Sequence, residues 1–134
     1  MSIDAIAPMV DIAASGLRAQ SLRLNLIAGN IANAQTTRTV TGEPYRRQDV
    51  VLQTTGDDMG GVTVLNVAHD MTDFRQVLMP GHPDADEDGF VQMPNVQLPV
   101  EMMNLVTATR AYQANVAVLK RYQDMVETTV ELLR

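Results

Sequence analysis

Residues 9–33 read MVDIAASGLRAQSLRLNLIAGNIAN, and their apolar spacing sets the architecture of the chain. Apolar side chains recur at alternating steps of three and four, a period that predicts an amphipathic helix. Pro8 has no N–H and disrupts a helix that passes through it, so we expect the helix to run from about residue 9 to residue 33. Asn30 and Asn33 suit its end, because Asn tolerates the left-handed conformation. The full seam is Ile3, Ile6, Val10, Ala13, Leu17, Gln20, Leu24, Ile27 and Ile31, with Gln20 as its polar interruption.

The C-terminal segment mirrors the first. Pro99 and Glu101 are typical of a helix N-terminus, where a missing N–H costs nothing and a carboxylate meets the positive end of the helix dipole. No Gly or Pro occurs from residue 100 onward, which predicts one continuous helix of about 50 Å. Its seam comprises Met102, Leu105, Thr109, Tyr112, Val116, Leu119, Gln123, Val126, Val130 and Leu133.

The middle of the chain has the composition of short strands and turns. Most of its β-branched residues fall into runs bounded by Gly, Pro and Asp, which predict strands at Arg46–Gln53, Gly61–Ala68, Phe74–Met79 and, more briefly, Phe90–Met93. We therefore expect a mainly α fold with a small β insertion. An N-terminal helical segment (1–37) and a C-terminal helix (99–134) would pair as a coiled-coil-like unit, with a short, irregular β module (38–98) between them.

The negative charge is concentrated in this middle segment. The net charge of the 134 residues is −6, and residues 34–99 hold ten acids against four arginines. Because no basic patch is present, we expect no nucleic-acid partner. The N-terminus lacks the basic region of a cleaved signal peptide, and the longest uncharged stretch, residues 24–37, is too short to span a bilayer. We expect a chain that is soluble when synthesised and binds no lipid directly.

One acidic turn, Asp84–Gly89, resembles the first half of an EF-hand calcium loop. The twelfth position of such a loop holds a bidentate Glu, but here it is Asn95, and nearby prolines exclude close flanking helices. The chain has two histidines and no Cys, and it shows no nucleophile motif, phosphate-binding glycine loop or general acid–base pair. We expect no metal, no cofactor and no enzymatic activity.

The two helical seams leave two arrangements open. A single chain could close as a helical hairpin over the β module, or the helices could pack into a larger assembly that buries more of their surface. The corresponding functional classes are a structural subunit of a lattice and a soluble helical adaptor or export-chaperone-like binding module. The adaptor would form a small closed complex with one partner.

Several blocks of sequence match a known family in order and spacing. They are Ala14–Gln20, Arg23–Asn25, Ile27–Ala34, Gly42–Arg47, Pro80–Val96, Glu101–Met102 and Arg110–Asn115. Together they resemble the bacterial flagellar rod and hook proteins, and within that family the proximal-rod branch, over essentially the whole chain. The most specific blocks are Met93–Val96 and Tyr112–Asn115. One departure is Asn33–Arg38, which replaces the Asn-Thr-x-Gly-aromatic turn of many relatives.

The resemblance implies a structural protein of the flagellar basal body. Such a subunit is exported unfolded and uncleaved by the flagellar type III apparatus. It assembles helically with copies of itself and other rod proteins into the periplasmic drive shaft above the inner-membrane ring and export gate. The assembly transmits torque and forms part of the export channel wall, with the paired terminal helices inside and the middle segment outside. We expect the assembly interface to comprise Leu17, Leu24, Ile27, Asn30, Ile31, Asn33, Leu105, Tyr112, Asn115, Val116 and Leu119.

Overall fold

The structure is a computed structural model and describes residues 7–56 and 60–133. Its elements are α1 (Ala7–Ala32), β1 (Gln48–Thr54), β2 (Val62–His69), β3 (Arg75–Leu78), β4 (Phe90–Met93) and α2 (Leu98–Leu132). The expected mainly α chain with a small β insertion is confirmed. The seam residues Ile3 and Ile6 lie outside the described residues.

Local hydrogen bonds set the C-terminal end of α1. The helix is described from Ala7, one residue before Pro8. At the other end the Asn33 side chain donates to Gly29 O (2.9 Å) and accepts from the Thr36 hydroxyl (3.1 Å). No non-glycine residue in the described part of the chain has a positive φ. Asn33 therefore ends the helix through side-chain hydrogen bonds, not through the left-handed conformation that the sequence suggested.

α2 is continuous over 35 residues, which corresponds to about 52 Å. Pro99 is its second residue, and Glu101 lies in its first turn. Gln97 caps the start in an extended conformation without a side-chain hydrogen bond. Neither helix in the described part of the chain has an apolar run that could cross a membrane.

The strands form two separate antiparallel pairs, and their predicted positions are confirmed to within two residues. β1 pairs with β2 from Gln48 opposite His69 to Thr54 opposite Val62, and β3 pairs with β4. In the β1–β2 hairpin the register shifts between Val51 and Leu52, which leaves Leu65 as the extra residue of a bulge. No residue of the described β segments links the two pairs into one sheet.

α1 lies between α2 on one side and the β1–β2 hairpin on the other. The helices are antiparallel, because Asn30 contacts Glu101 near one end and Gly16 approaches Asn115 near the other. A Cβ on Gly16 would lie 2.8 Å from the Asn115 amide nitrogen, so the glycine leaves room for the Asn115 side chain against α1. The hairpin is held along α1 by the Val62 N–H, which donates to the Ser15 hydroxyl (2.9 Å). The buried apolar residues are few and mostly small: Ala13, Ala19, Ile27, Val50, Val91 and Ala108.

Candidate functional site

Two fully buried polar side chains, those of Asn30 and Glu101, meet where α1 ends and α2 begins. Five polar residues, hereafter the polar joint, connect the helices to the β segments: Asn30, Tyr45, Arg47, Asn95 and Glu101. Asn30 and Glu101 are both 0% exposed. Burial of polar groups at this depth is tolerated only when their hydrogen bonds are made.

Asn30 meets that requirement completely. Its amide nitrogen donates to Gln48 O (2.8 Å) and to a carboxylate oxygen of Glu101 (3.2 Å). Its carbonyl oxygen accepts from the Tyr45 hydroxyl (3.0 Å) and from the Gln48 N–H (2.9 Å). One side chain of α1 thus fixes the first residue of β1 and the first turn of α2.

Glu101 and Arg47 form the charged centre of the joint. The Arg47 Nε donates to the Glu101 carboxylate at 2.6 Å, and a terminal guanidinium nitrogen donates to Asp49 at 3.2 Å. Burial opposes the charge of Arg47, but the hydrogen bonds and charges of Glu101 and Asp49 outweigh it and raise the pKa of the guanidinium. For Tyr45, burial and then the charge of Glu101 raise the pKa of the phenol. The joint therefore holds Arg47 charged and Tyr45 neutral at ordinary pH.

Asn95 connects the joint to the segment after β2. Its carbonyl oxygen accepts from the Arg47 N–H (2.8 Å), and its amide donates to Asp70 O (2.9 Å) and to the Thr72 hydroxyl (3.0 Å). Asp70 in turn accepts from the Thr72 N–H (2.9 Å). Hydrogen bonds from the backbone and then the side chain of Thr72 lower the pKa of the Asp70 carboxyl. The joint fixes geometry, and its polar atoms are engaged within the chain.

The acidic turn is also tied to the chain. Asp84 forms an ion pair with Arg38 (2.7 Å) and accepts from the Thr37 hydroxyl (2.7 Å). Asp86 accepts from the N–H groups of Asp88 (3.0 Å) and Phe90 (2.7 Å), which closes the turn before β4. Among the described residues, no three metal-ligating side chains cluster. The turn packs against the loop that follows α1.

The residues expected at the assembly interface fall into three groups. Asn30 and Asn33 hydrogen-bond within the chain, and Ile27 is only 4% exposed. Six more are partly covered: Leu17, Leu24, Ile31, Leu105, Asn115 and Leu119. Tyr112 and Val116 are exposed on α2. Much of this set is therefore occupied by contacts inside a single chain.

Sequence reasoning missed the roles of Arg47, Asn95 and Glu101 in the joint. The sequence explains Glu101 through the helix dipole and Asn95 as a departure from a calcium loop. Both also lie in blocks that carry the family resemblance, but none of these features pairs them with Arg47. One sequence feature could have drawn attention to Arg47: Arg46 and Arg47 are adjacent cations in a segment otherwise rich in acids. It also missed that α2 exposes apolar residues outside the seam, such as Met103, Val106 and Val118.

Comparison with known proteins defines the class first. Residues 11–38, which include most of α1, match the family model described as flagella basal body rod protein. Residues 87–132, from the acidic turn through α2, match the model described as flagellar basal body rod FlgEFG protein C-terminal. The N-terminal and C-terminal parts of the chain thus both match family models of flagellar rod proteins.

Full-length relatives then identify the branch. The chain is 45% identical to the flagellar basal-body rod protein FlgC of Yersinia enterocolitica, over 91% of this chain and 93% of that protein. It is 39% identical to FlgC of Agrobacterium fabrum, with 98% of both chains covered, and 37% identical to FlgC of Bacillus subtilis, with 92% and 95% covered. The chain belongs to the FlgC family of flagellar basal-body rod proteins.

Proposed function

We propose that this chain is a structural subunit of the proximal part of the flagellar basal-body rod, where it assembles helically with copies of itself and with other rod proteins. Family membership supports the role of a structural rod subunit. The proposal adds three points to family membership: the proximal position in the rod, the transmission of torque and a share in the wall of the export channel.

The observation that carries the proposal is the exposure of apolar residues on two flanks of α2. α1 covers the side of Glu101 and Ala108. By helical spacing, Met102, Val106 and Val116 lie on one flank of that contact, and Val100, Val118 and Met125 lie on the other. All six side chains are exposed. A helix that is apolar on several sides is stable when neighbours cover it, which is the situation of a helix packed inside a polymer.

Charge distribution supports the orientation of the subunit in the assembly. The acids in excess lie in residues 34–99, whereas the helical ends are close to neutral. Near-neutral helices can pack densely around an axis without like-charge repulsion, while an acidic middle segment is favoured in water. We therefore infer that α1 and α2 face the channel and the β segments face outward, in contact with neighbouring rod proteins and, at the base, with the inner-membrane ring and export gate. Export proceeds without cleavage of a signal peptide, and the absence of Cys suits assembly in the oxidising periplasm.

Electron microscopy of isolated basal bodies tests the proposal. A strain that lacks this chain should be non-motile and should build no rod beyond the base, and a plasmid copy should restore both. In basal bodies from the complemented strain, the α1–α2 pair and the hairpin should fit the density of the proximal rod. Recovery of the chain only in a small closed complex with one partner, with rods intact in the deletion strain, would refute the proposal in favour of an adaptor.

A further inference from the structure

The two exposed flanks of α2 differ along their length. One flank, hereafter the apolar flank, holds exposed apolar side chains from the start of the helix to its end. By helical spacing it comprises Val100, Met103, Ala114, Val118, Met125 and Leu132. The other, hereafter the mixed flank, is apolar in its first half and charged in its second. It comprises Met102, Val106, Val116, Lys120, Asp124 and Glu127.

The charges in the second half of α2 differ in sign between the flanks. Arg121 lies on the edge of the apolar flank, is exposed, and makes no ion pair among the described residues. Arg110, near the same edge, is also a cation, so it does not cancel that charge. On the mixed flank the acids Asp124, Glu127 and Glu131 outnumber one lysine. Two copies of the helix placed side by side with unlike flanks in contact would therefore attract each other.

The chain has more surface than a compact subunit of its mass. Its accessible surface is 9726 Å², whereas a compact monomer of 14.7 kDa exposes about 7,000 Å². A stable interface buries about 800 Å² on each partner. The excess is therefore large enough for one neighbour on each flank of α2.

Helical symmetry decides which flanks can meet. In the proposed rod, successive copies are related by a rotation and a translation about one axis, so their α2 helices run in the same direction. Bringing the same flank together twice requires a two-fold axis, which this arrangement lacks, so the contact joins unlike flanks. A shift of two to three residues, roughly 4 Å, matches the side chains of the two flanks. The pairs then level with each other are Met103 with Val106, Ala114 with Val116, and Arg121 with Asp124.

We propose that the apolar flank of α2 in one copy of this chain packs against the mixed flank of α2 in the next copy, with Arg121 facing the acids of its neighbour. The occupant of the apolar flank is thus a second copy of this chain. Each copy keeps a free flank for the next one, which suits a helical array. The inference rests on the proposed function and adds which surfaces of α2 meet.

Disulfide trapping in isolated basal bodies tests this contact. The chain has no Cys, so engineered cysteines carry its only thiols. A chain with both Ala114→Cys and Val116→Cys has one thiol on each flank, and side chains two residues apart on a helix do not face each other. After mild oxidation we expect a ladder of linked chains that extends beyond the dimer. Either substitution alone should give no linked chains, because unlike flanks meet.

Charge reversal tests the position of Arg121. In the chain with both cysteines, Arg121→Glu should lower the yield of the ladder about fivefold, the scale of an exposed ion pair. Addition of Glu127→Arg should restore the yield. This rescue reports a contact between copies, because the two side chains lie on opposite flanks of one helix. Arg75→Glu, at an exposed position on β3, is the control and should leave the yield unchanged.

Three results would overturn this inference and leave the proposed function standing. Linked dimers from either single-cysteine chain would show that like flanks meet. A chain with both cysteines that is present in basal bodies and gives no ladder would show that something other than a second copy covers the apolar flank. A ladder that Arg121→Glu leaves unchanged would show that the opposite charges do not face each other. Absence of the unmodified chain from basal bodies would overturn both the inference and the proposed function.

Discussion

The two long helices differ in how much of their surface the chain itself covers. α1 contacts α2 and both strands of the hairpin, and Met9 is its only large apolar side chain that is exposed among its described residues. α2 has α1 as its one partner among the described helices and strands, and it exposes apolar residues along its whole length. Two helices with similar seams therefore differ: α1 organises the fold of one chain, and α2 carries the exposed apolar surface through which, in our proposal, that chain meets others.

The largest effect is expected from a charge on the covered helix. Ile27→Asp would place a carboxylate where the side chain is 4% exposed, beside a cavity whose two arginines, Arg23 and Arg47, already pair with Asp49. The free energy of unfolding should fall by about 4 kcal/mol or more, since burial of the isoleucine is lost and a charge is buried. Urea unfolding followed by far-UV circular dichroism measures the change. Met9→Asp, on the exposed side of the same helix, is the matched control and should change stability by less than about 0.5 kcal/mol. Equal stabilities of the two variants would show that α1 is not covered as described.

The next effect concerns the joint that holds α1 against α2. Glu101→Ala would leave the Arg47 guanidinium and one donor of Asn30 without their shared acceptor. Removing one partner from a buried ion pair should lower the free energy of unfolding by about 3 kcal/mol. The control is Glu43→Ala, because Glu43 is exposed and lies 3.9 Å from Arg46; its effect should be below about 0.5 kcal/mol. A Glu101→Ala protein as stable as the control variant would mean that the joint does not hold the helices.

The joint marks the boundary of what the sequence could predict. The helices and strands follow from local periods and from Gly, Pro and Asn signals, which act over a few residues, so their positions were predicted closely. Asn30 and Glu101 are 71 residues apart, and no local pattern pairs them. The predicted seam of α2 was likewise incomplete. A period of three and four selects one stripe of the helix and leaves out the apolar residues beside that stripe. Which stripe meets α1 depends on close approaches such as Gly16 against Asn115.

A smaller effect is expected at the edge of the joint, where it depends on pH. Hydrogen bonds from Thr72 lower the pKa of Asp70 in the folded chain, so its ionised form stabilises the fold above the unfolded value of 3.8. That contribution is lost as the pH falls through the lower folded pKa. Asp70→Asn should therefore lower stability at neutral pH by less than about 1 kcal/mol, and the difference from the native chain should shrink below pH 3.8. Urea titrations over this range measure it, and a difference that grows on acidification would contradict the assignment.

The smallest effect on the stability of the free chain is expected on the exposed flank of α2. A substitution there tests most directly whether the two helices differ as described. Val118→Asp should change the free energy of unfolding by less than about 0.5 kcal/mol, because no described element covers this side chain. In the rod, however, every copy would bury an unpaired charge against its neighbour, at a cost of several kcal/mol each. Export should continue, since an unfolded chain does not form this contact, whereas rod completion and swimming should fail.

Val40→Asp, a fully exposed position outside the helices, should affect neither stability nor swimming. A secretion blot and a motility assay decide the outcome. A Val118→Asp strain that swims normally would show that this flank faces solvent in the assembly, and a Val118→Asp protein that unfolds easily would show that the free chain already covers it. Either result would remove the distinction between a helix that folds the subunit and a helix that builds the polymer.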